Sequence, residues 1–271
     1  MQESSHKSVQ FSIDGTPVDF PVEGDTAVGP ELVLLDQDDD LIAGTPWAES
    51  GYAVLPFLDA GPRQVLVDSI KHAIFGRMRA AGIEVGDDYP LDQYHTMPGL
   101  TPELHHAFIE RIRKSFPLDG SVDMAPLIER MSDICGVRVT SDAFCVRVVR
   151  PQSGDNNPPH RDVWLDTLRH RVNIYAPIAG STLETSLPVL PGSHRWPESM
   201  VERTTGGANI GGVAYTVPAA TRILGQEFNM VRPNPGEGEF LVFSPYMIHG
   251  GARNLSRNLT RVSLEMRFWR A

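Results

Sequence analysis

The stretch "TRVSLEMRFW", residues 260–269, alternates strictly: Val262, Leu264, Met266 and Phe268 fall on one side of an extended chain, and Arg261, Ser263, Glu265, Arg267 and Trp269 on the other. One apolar face and one hydrogen-bonding face suit a strand of a barrel or sandwich, with covering helices outside and a wet pocket inside. "RVNIYAPI" (171–178) repeats the pattern, Val172 and Ile174 opposing Asn173 and Tyr175. "AFCVRVVRP" (143–151), "SLPVLPG" (186–192) and "EFLVFSP" (239–245) are further β-type runs broken by Pro and Gly. Upstream the period changes. Leu66, Ile70, Ile74 and Met78 recur every fourth residue after Pro62, and "TPELHHAFIERIRKSF" (101–116) opens with Thr101 as a cap. Its stripe is Leu104, Phe108, Ile109, Ile112 and Phe116, and a third helix follows Asp123 with Leu127, Ile128, Met131 and Ile134. Helices first and strands later predict an α+β protein. One domain spans 1–271, with helical support over about 60–135 and the strand-rich core over about 140–271.

Composition bounds the function. The chain has 271 residues, 41% hydrophobic and 21% charged, ordinary for a globular protein with a sizeable core. A net charge of −10 with no Lys/Arg block argues against nucleic acid as a partner. "MQESSHKSVQFSIDG" (1–15) lacks the apolar core of a signal peptide, and no run approaches the roughly 18 apolar residues of a membrane span. Cys135 and Cys145 read as reduced thiols. The expectation is a cytoplasmic protein with a small-molecule substrate and no membrane partner; oligomeric state is not legible. "DQDDD" (36–40) reads as a solvated surface loop, and the adjacent His105 and His106 as helix-packing or surface residues rather than a metal pair.

"NNPPHRDVWLD" (156–166) carries the chemistry. "HRD" is not a kinase catalytic loop, because position 167 is Thr where an Asn is needed and no glycine-rich loop or DFG exists. In an extended segment His160 and Asp162 share a face and can grip one ion. Downstream, "PYMIHGGARN" offers His249, 249 − 162 = 87 residues on, beside two glycines that permit close backbone approach. Two imidazoles and one carboxylate on one face of a metal leave positions open, the arrangement of non-haem Fe(II) oxygenases. Such a site draws electrons from a 2-oxo acid whose distal carboxylate needs a cation. Arg261, 261 − 249 = 12 residues past His249, lies on the polar face of its strand with Ser263 beside it.

These pieces resemble the Fe(II)/2-oxoglutarate-dependent dioxygenases, specifically the phytanoyl-CoA dioxygenase-like family. The matching segments are "GYAVLPFL" (51–58), "PHRD" (159–162), "LPVLPGSHRW" (187–196), "PGEGEFLVFSPYMIHGG" (235–251) and "NLTRVSLEMRF" (258–268), in the family's order. The resemblance implies a double-stranded β-helix (jelly-roll, cupin-like) core with N-terminal helices packed outside. It implies His160, Asp162 and His249 as catalytic metal ligands, Arg261 and Ser263 as the 2-oxoglutarate clamp, and Asn173 and Tyr175 as further cosubstrate contacts. The cofactors implied are Fe(II), 2-oxoglutarate and O2, with release of succinate and CO2. Related halogenases carry Gly or Ala where Asp162 stands, so hydroxylation is favoured over halogenation. The expected substrate is a small polar metabolite, an amino-acid derivative or secondary-metabolite intermediate. A metal- and 2-oxoglutarate-binding jelly-roll without oxygenase activity, or a zinc hydrolase, remain alternatives. Trp164 is a pocket wall or a core residue, and Arg267 touches substrate or forms an ion pair. Arg147 and Arg150 bind an anionic substrate or pair at the surface, and His194 is a turn residue. The glycine-rich stretch 206–223 is a lid over the barrel mouth or a surface loop.

Overall fold

Two β-favouring runs separated by Asp14–Gly15 form the first hairpin, β1 (Lys7–Ile13) and β2 (Thr16–Val22). Both turn residues hold positive φ, 50° and 76°, the conformation a two-residue hairpin turn demands. The computed structural model describes residues 7–115, 123–141, 144–154, 157–210 and 213–271. Residues 1–6 of the N-terminal stretch, Phe116, Ala143 and Asn156, named above, lie outside that set. β3 (Thr26–Val28) and β4 (Tyr52–Pro56) follow. Strands thus precede the helices, which corrects the helices-first expectation; the helical segment is inserted after strands that join both sheets.

Helices α1 (Ala60–Ala80), α2 (Pro102–Ser115) and α3 (Ala125–Cys135) form where the fourfold spacing and caps predict them. Thr101 Oγ1 accepts the Leu104 N–H at 3.2 Å, and Asp123 Oδ1 accepts that of Ala125 at 3.0 Å. Gly136, left-handed at φ 64°, ends α3. The remaining strands are β5 (Val139–Thr140), β6 (Phe144–Val149), β7 (Val172–Ala179), β8 (Val201–Thr204), β9 (Ala208–Ile210), β10 (Val213–Tyr215), β11 (Ala220–Ile223), β12 (Asn229–Met230), β13 (Glu239–Phe243) and β14 (Arg261–Arg270).

The larger sheet runs β4-β13-β7-β14, with β6 and β5 pairing β14 beyond. Its outer face is apolar. Val262, Leu264, Met266 and Phe268 of β14 are buried in one cluster with Val172, Ile174, Phe240 and Val242, against Ile70 and Ile74 of α1, Phe108 of α2 and Met131 of α3. Each such side chain contributes about 1.5–3 kcal/mol, so this seam fixes both sheet and helices. The alternation read in 260–269 therefore holds: its apolar side meets the helices and its polar side faces inward.

The opposing layer is stitched from short pairings. β2–β1–β12 continues through Val231 to Val189, from Val189 to His249 and from His249 to His160. Pro159 O then accepts the Ala220 N–H at 2.7 Å, leading into β11–β8–β3. Two sheets facing across a polar interior make the cupin-like jelly-roll. "SLPVLPG" enters this layer only at Val189, because its prolines remove ladder donors. The stretch 206–223 is not a loose lid. β9 and β10 pair as a hairpin, and β11 is built into the sheet with Ala219 and Ala220 fully buried. Nor is 36–40 merely solvated, for Asp38 accepts Arg169 Nε at 2.8 Å and the Tyr246 hydroxyl, while Asp39 pairs with Arg270 at 2.6 Å. Cys135 and Cys145 are free thiols. Among the described residues no helix is long and apolar enough to cross a membrane.

Candidate metal centre

His160 and His249 are 249 − 160 = 89 residues apart in sequence and directly opposite one another in the stitched layer. His160 N–H donates to His249 O at 2.9 Å and His249 N–H to His160 O at 3.0 Å, a closed antiparallel pair that puts both side chains on one face. Their ring centroids are 4.4 Å apart. The pairing needs the backbone to pass close by Gly250, at φ 100°. A Cβ there would lie 2.6 Å from Pro158 O and 3.1 Å from His160 Nδ1. After His160 the chain stays extended at Arg161 and tightens into a 3-10 turn over Asp162–Trp164. That turn aims Asp162 Oδ1 to 3.3 Å from His160 Nε2 and 3.9 Å from His249 Nε2. One donor atom from each of the three residues lies within 4.8 Å of the others, all buried.

The donors suit a divalent ion. Nδ1–H of His160 donates to Pro158 O at 2.7 Å and that of His249 to Met247 O at 3.0 Å. Those bonds fix the tautomer and leave each Nε2 lone pair facing the cluster. Burial, with His160 nearby, pushes the His249 imidazole down to about 4, so it is neutral near pH 7. Burial alone would raise the Asp162 carboxyl, but the Arg267 guanidinium beside it holds it well below the usual carboxylate range. Two imidazoles with their Nδ1–H groups engaged by carbonyls, and an ionised carboxylate, suit Fe(II) binding.

The inward face of the larger sheet supplies the rest. Arg261 is fully buried, donates Nη1 to Thr185 O at 2.9 Å and lies 5.7 Å from the Tyr175 ring centroid. Ser263 Oγ, also fully buried, has no hydrogen-bond partner among the described residues. An orphaned hydroxyl two residues from a guanidinium on one strand face, both fully buried, fits a carboxylate end such as that of 2-oxoglutarate. Tyr175 turns its hydroxyl to Ser181 Oγ at 2.9 Å, and burial raises its phenol so that it stays protonated. Asn173 reaches across to Asp162, its Nδ2 donating to Oδ2 at 2.9 Å. Arg267 does likewise, Nε to Oδ2 at 2.7 Å and Nη2 to Oδ1 at 3.2 Å, forming an ion pair with Asp162. Arg147 pairs with Glu265 at 3.1 Å on the same inward face rather than at the surface. Burial would raise the Glu265 carboxyl, but Arg147 and Arg261 hold it below the usual range.

Trp164 is carried away from an extended geometry by the 3-10 turn. Its Nε1–H donates to Glu198 at 2.8 Å and its ring lies 4.7 Å from the Arg203 guanidinium carbon. His194 sits in a 3-10 turn and donates Nε2–H to Ala48 O at 3.0 Å. One residue escaped the sequence reading: Arg161, fully buried, ion-paired with Glu198 and donating to Ser193 O at 2.6 Å and Trp196 O at 3.1 Å. Its position between two ligands implies only that it points the other way. Nothing local shows that a carboxylate 198 − 161 = 37 residues on will meet it.

The sequence profile of the phytanoyl-CoA dioxygenase (PhyH) family matches residues 112–263, more than half of the chain. No curated protein matches. Among solved structures, the chain is similar to EctD from S. alaskensis with bound Fe, at 15% identity and TM-score 0.51. The same protein with 2-oxoglutarate and 5-hydroxyectoine gives 14% and 0.50. Each comparison covers 91% of this chain and 84% of the other. At that identity the likeness is one of fold.

Proposed function

Since this chain belongs to the phytanoyl-CoA dioxygenase family and is a non-haem Fe(II)- and 2-oxoglutarate-dependent dioxygenase, we propose that it hydroxylates a small polar metabolite, an amino-acid derivative or secondary-metabolite intermediate. The observation that carries the reading is the convergence of His160, Asp162 and His249 opposite the buried Arg261 and Ser263. When bound, Fe(II), 2-oxoglutarate and O2 supply the oxidising chemistry, with release of succinate and CO2. The protein's part is binding, orientation and exclusion of water. Nε2 of His160, Nε2 of His249 and a carboxylate oxygen of Asp162 would hold the ion. Arg261 forms a charge-assisted pair with the distal carboxylate of the cosubstrate, and Ser263 donates to it.

The walls support a polar substrate. Arg147, Glu265 and Arg267 lie on the inward face and keep side-chain exposures of 18%, 18% and 33%, so that face offers charged groups not wholly sealed in packed core. A long acyl chain gains nothing from such walls, whereas a charged or hydroxylated metabolite finds partners on them. Helices and barrel act as one unit, because the sheet that carries Arg261 buries its other face on the helices.

The test is anaerobic reconstitution with Fe(II) and 2-oxoglutarate, then exposure to air with a panel of amino-acid derivatives and other polar metabolites. A member of the panel should stimulate succinate release and gain the mass of one oxygen atom, and Asp162→Ala should abolish both. Succinate release unchanged in Asp162→Ala would remove the ligand assignment, and stimulation by fatty acyl thioesters alone would remove the substrate class.

A further inference from the structure

Arg267 lies four residues past the end of the family match (267 − 263 = 4), yet it is set directly against the one acidic donor of the site. The two oxygens of Asp162 have unequal surroundings. Oδ2 receives Arg267 Nε at 2.7 Å and Asn173 Nδ2 at 2.9 Å, both from the larger sheet. Oδ1 faces the imidazoles at 3.3 and 3.9 Å and receives only the longer 3.2 Å contact from Arg267 Nη2. The carboxylate is thus tied down by one oxygen and presents the other to the ion. A buried carboxylate with no counter-charge is costly. Each ring Nδ1–H is engaged by a carbonyl, and among the described residues Arg267 is the guanidinium in contact with the carboxylate.

We propose that Arg267 is the resident counter-cation of the metal site, a positioning residue that makes Asp162 a one-oxygen ligand and holds metal affinity down. A divalent ion at the three donors faces the guanidinium across the same carboxylate, so the two cations repel each other and compete for Oδ1. Without the guanidinium the ion is held more tightly, and the ion-free site is left with an uncompensated buried charge. Glu265, two residues back on the same face and within Coulomb range of Arg267, offers the guanidinium a second anchor as the ion enters.

The inference rests on the metal-site reading, and the experiment separates the two. Mn(II) is titrated without cosubstrate into the wild-type protein, R267Q, R267K and D162N, with free Mn(II) followed by electron paramagnetic resonance and the metal-free proteins melted in parallel. R267Q should bind Mn(II) about tenfold tighter or more, the direction and minimum size expected on removing one charge a few ångströms from the ion. It should also melt lower when metal-free and gain more from Mn(II), while R267K stays within about threefold of wild type because the charge is kept. If R267Q does not fold alone, rescue by Mn(II) but not by NaCl of equal ionic strength supports the proposal, and no rescue overturns it. Equal or weaker binding by R267Q overturns it while leaving the metal site standing. Wild-type protein that binds no Mn(II), or binds it as well after D162N, overturns both.

Discussion

At the scale of single residues, the proposed clamp and the glycine that follows His249 give separable effects. If Arg261 is the clamp proposed above, Arg261→Gln replaces a charged bond to the cosubstrate with a neutral one, a loss of about 1.5–3 kcal/mol. The KM for 2-oxoglutarate should rise roughly tenfold to a hundredfold in steady-state succinate assays. Ser263→Ala should raise that KM only a few-fold and leave thermal stability unchanged, because the deleted hydroxyl has no partner among the described residues to lose. A clear fall in stability on Ser263→Ala would show that the hydroxyl is satisfied in the fold instead. Gly250→Ala forces a methyl against Pro158 O and His160 at a φ of 100°. Mn(II) affinity should drop at least tenfold even if the variant still folds; unaltered affinity would mean that the His160–His249 pairing tolerates the shift. The residue types of this site were legible. Spacing paired His160 with Asp162 and put Arg261 on the polar face of its strand, while His249 was sought downstream as a third donor and the roles of all four rest on the family resemblance.

At the scale of elements, the segment that carries two ligands is pinned from behind. Arg161 and Glu198 form a fully buried pair that ties the 160–164 turn to the 193–198 loop, with Trp164 donating to the same carboxylate. Glu198→Ala leaves Arg161 buried without its partner and should cost about 3–5 kcal/mol in urea unfolding, whereas Arg161→Met combined with Glu198→Leu should recover most of it. Equal losses in the single and double variants would show that packing, not charge, holds the turn. The helices and the longest strands were legible here, since α1–α3 and β14 have long, regular periods. The first hairpin was not read, although Asp14–Gly15 between alternating runs is a turn signal. The built-in β11 was not legible in 206–223, read as a lid or a surface loop, because glycines upstream of it look like loop and its burial comes from partners elsewhere in the chain.

At the scale of the whole molecule, burial of neutral imidazoles sets the response to acid. His105 shares a hydrogen bond with the Tyr94 hydroxyl at 3.1 Å, and burial, with Arg150 and His106 nearby, pushes it down to about 4. Between about pH 6.5 and 4 the unfolded chain binds a proton there and the folded one does not, so stability is lost as pH falls through that window. The contribution is on the order of 2 kcal/mol, and His249 acts in the same direction. Denaturant unfolding at stepped pH should show a shallower acid slope for His105→Phe; an identical slope would place the titration elsewhere. The sequence by itself determined which residues are apolar-faced, which chemical groups are available for an ion and a keto-diacid, and where helices begin, because these follow from local spacing along one chain. Only the tertiary structure decided that His160 and His249 close a two-bond pair, that Arg261 and Ser263 face them from the other sheet, and that Arg267 grips Asp162. Those contacts join positions 89 and 267 − 162 = 105 residues apart. Their lengths depend on how two sheets stack, and the stacking is set by the apolar seam with the helices rather than by any residue of the site.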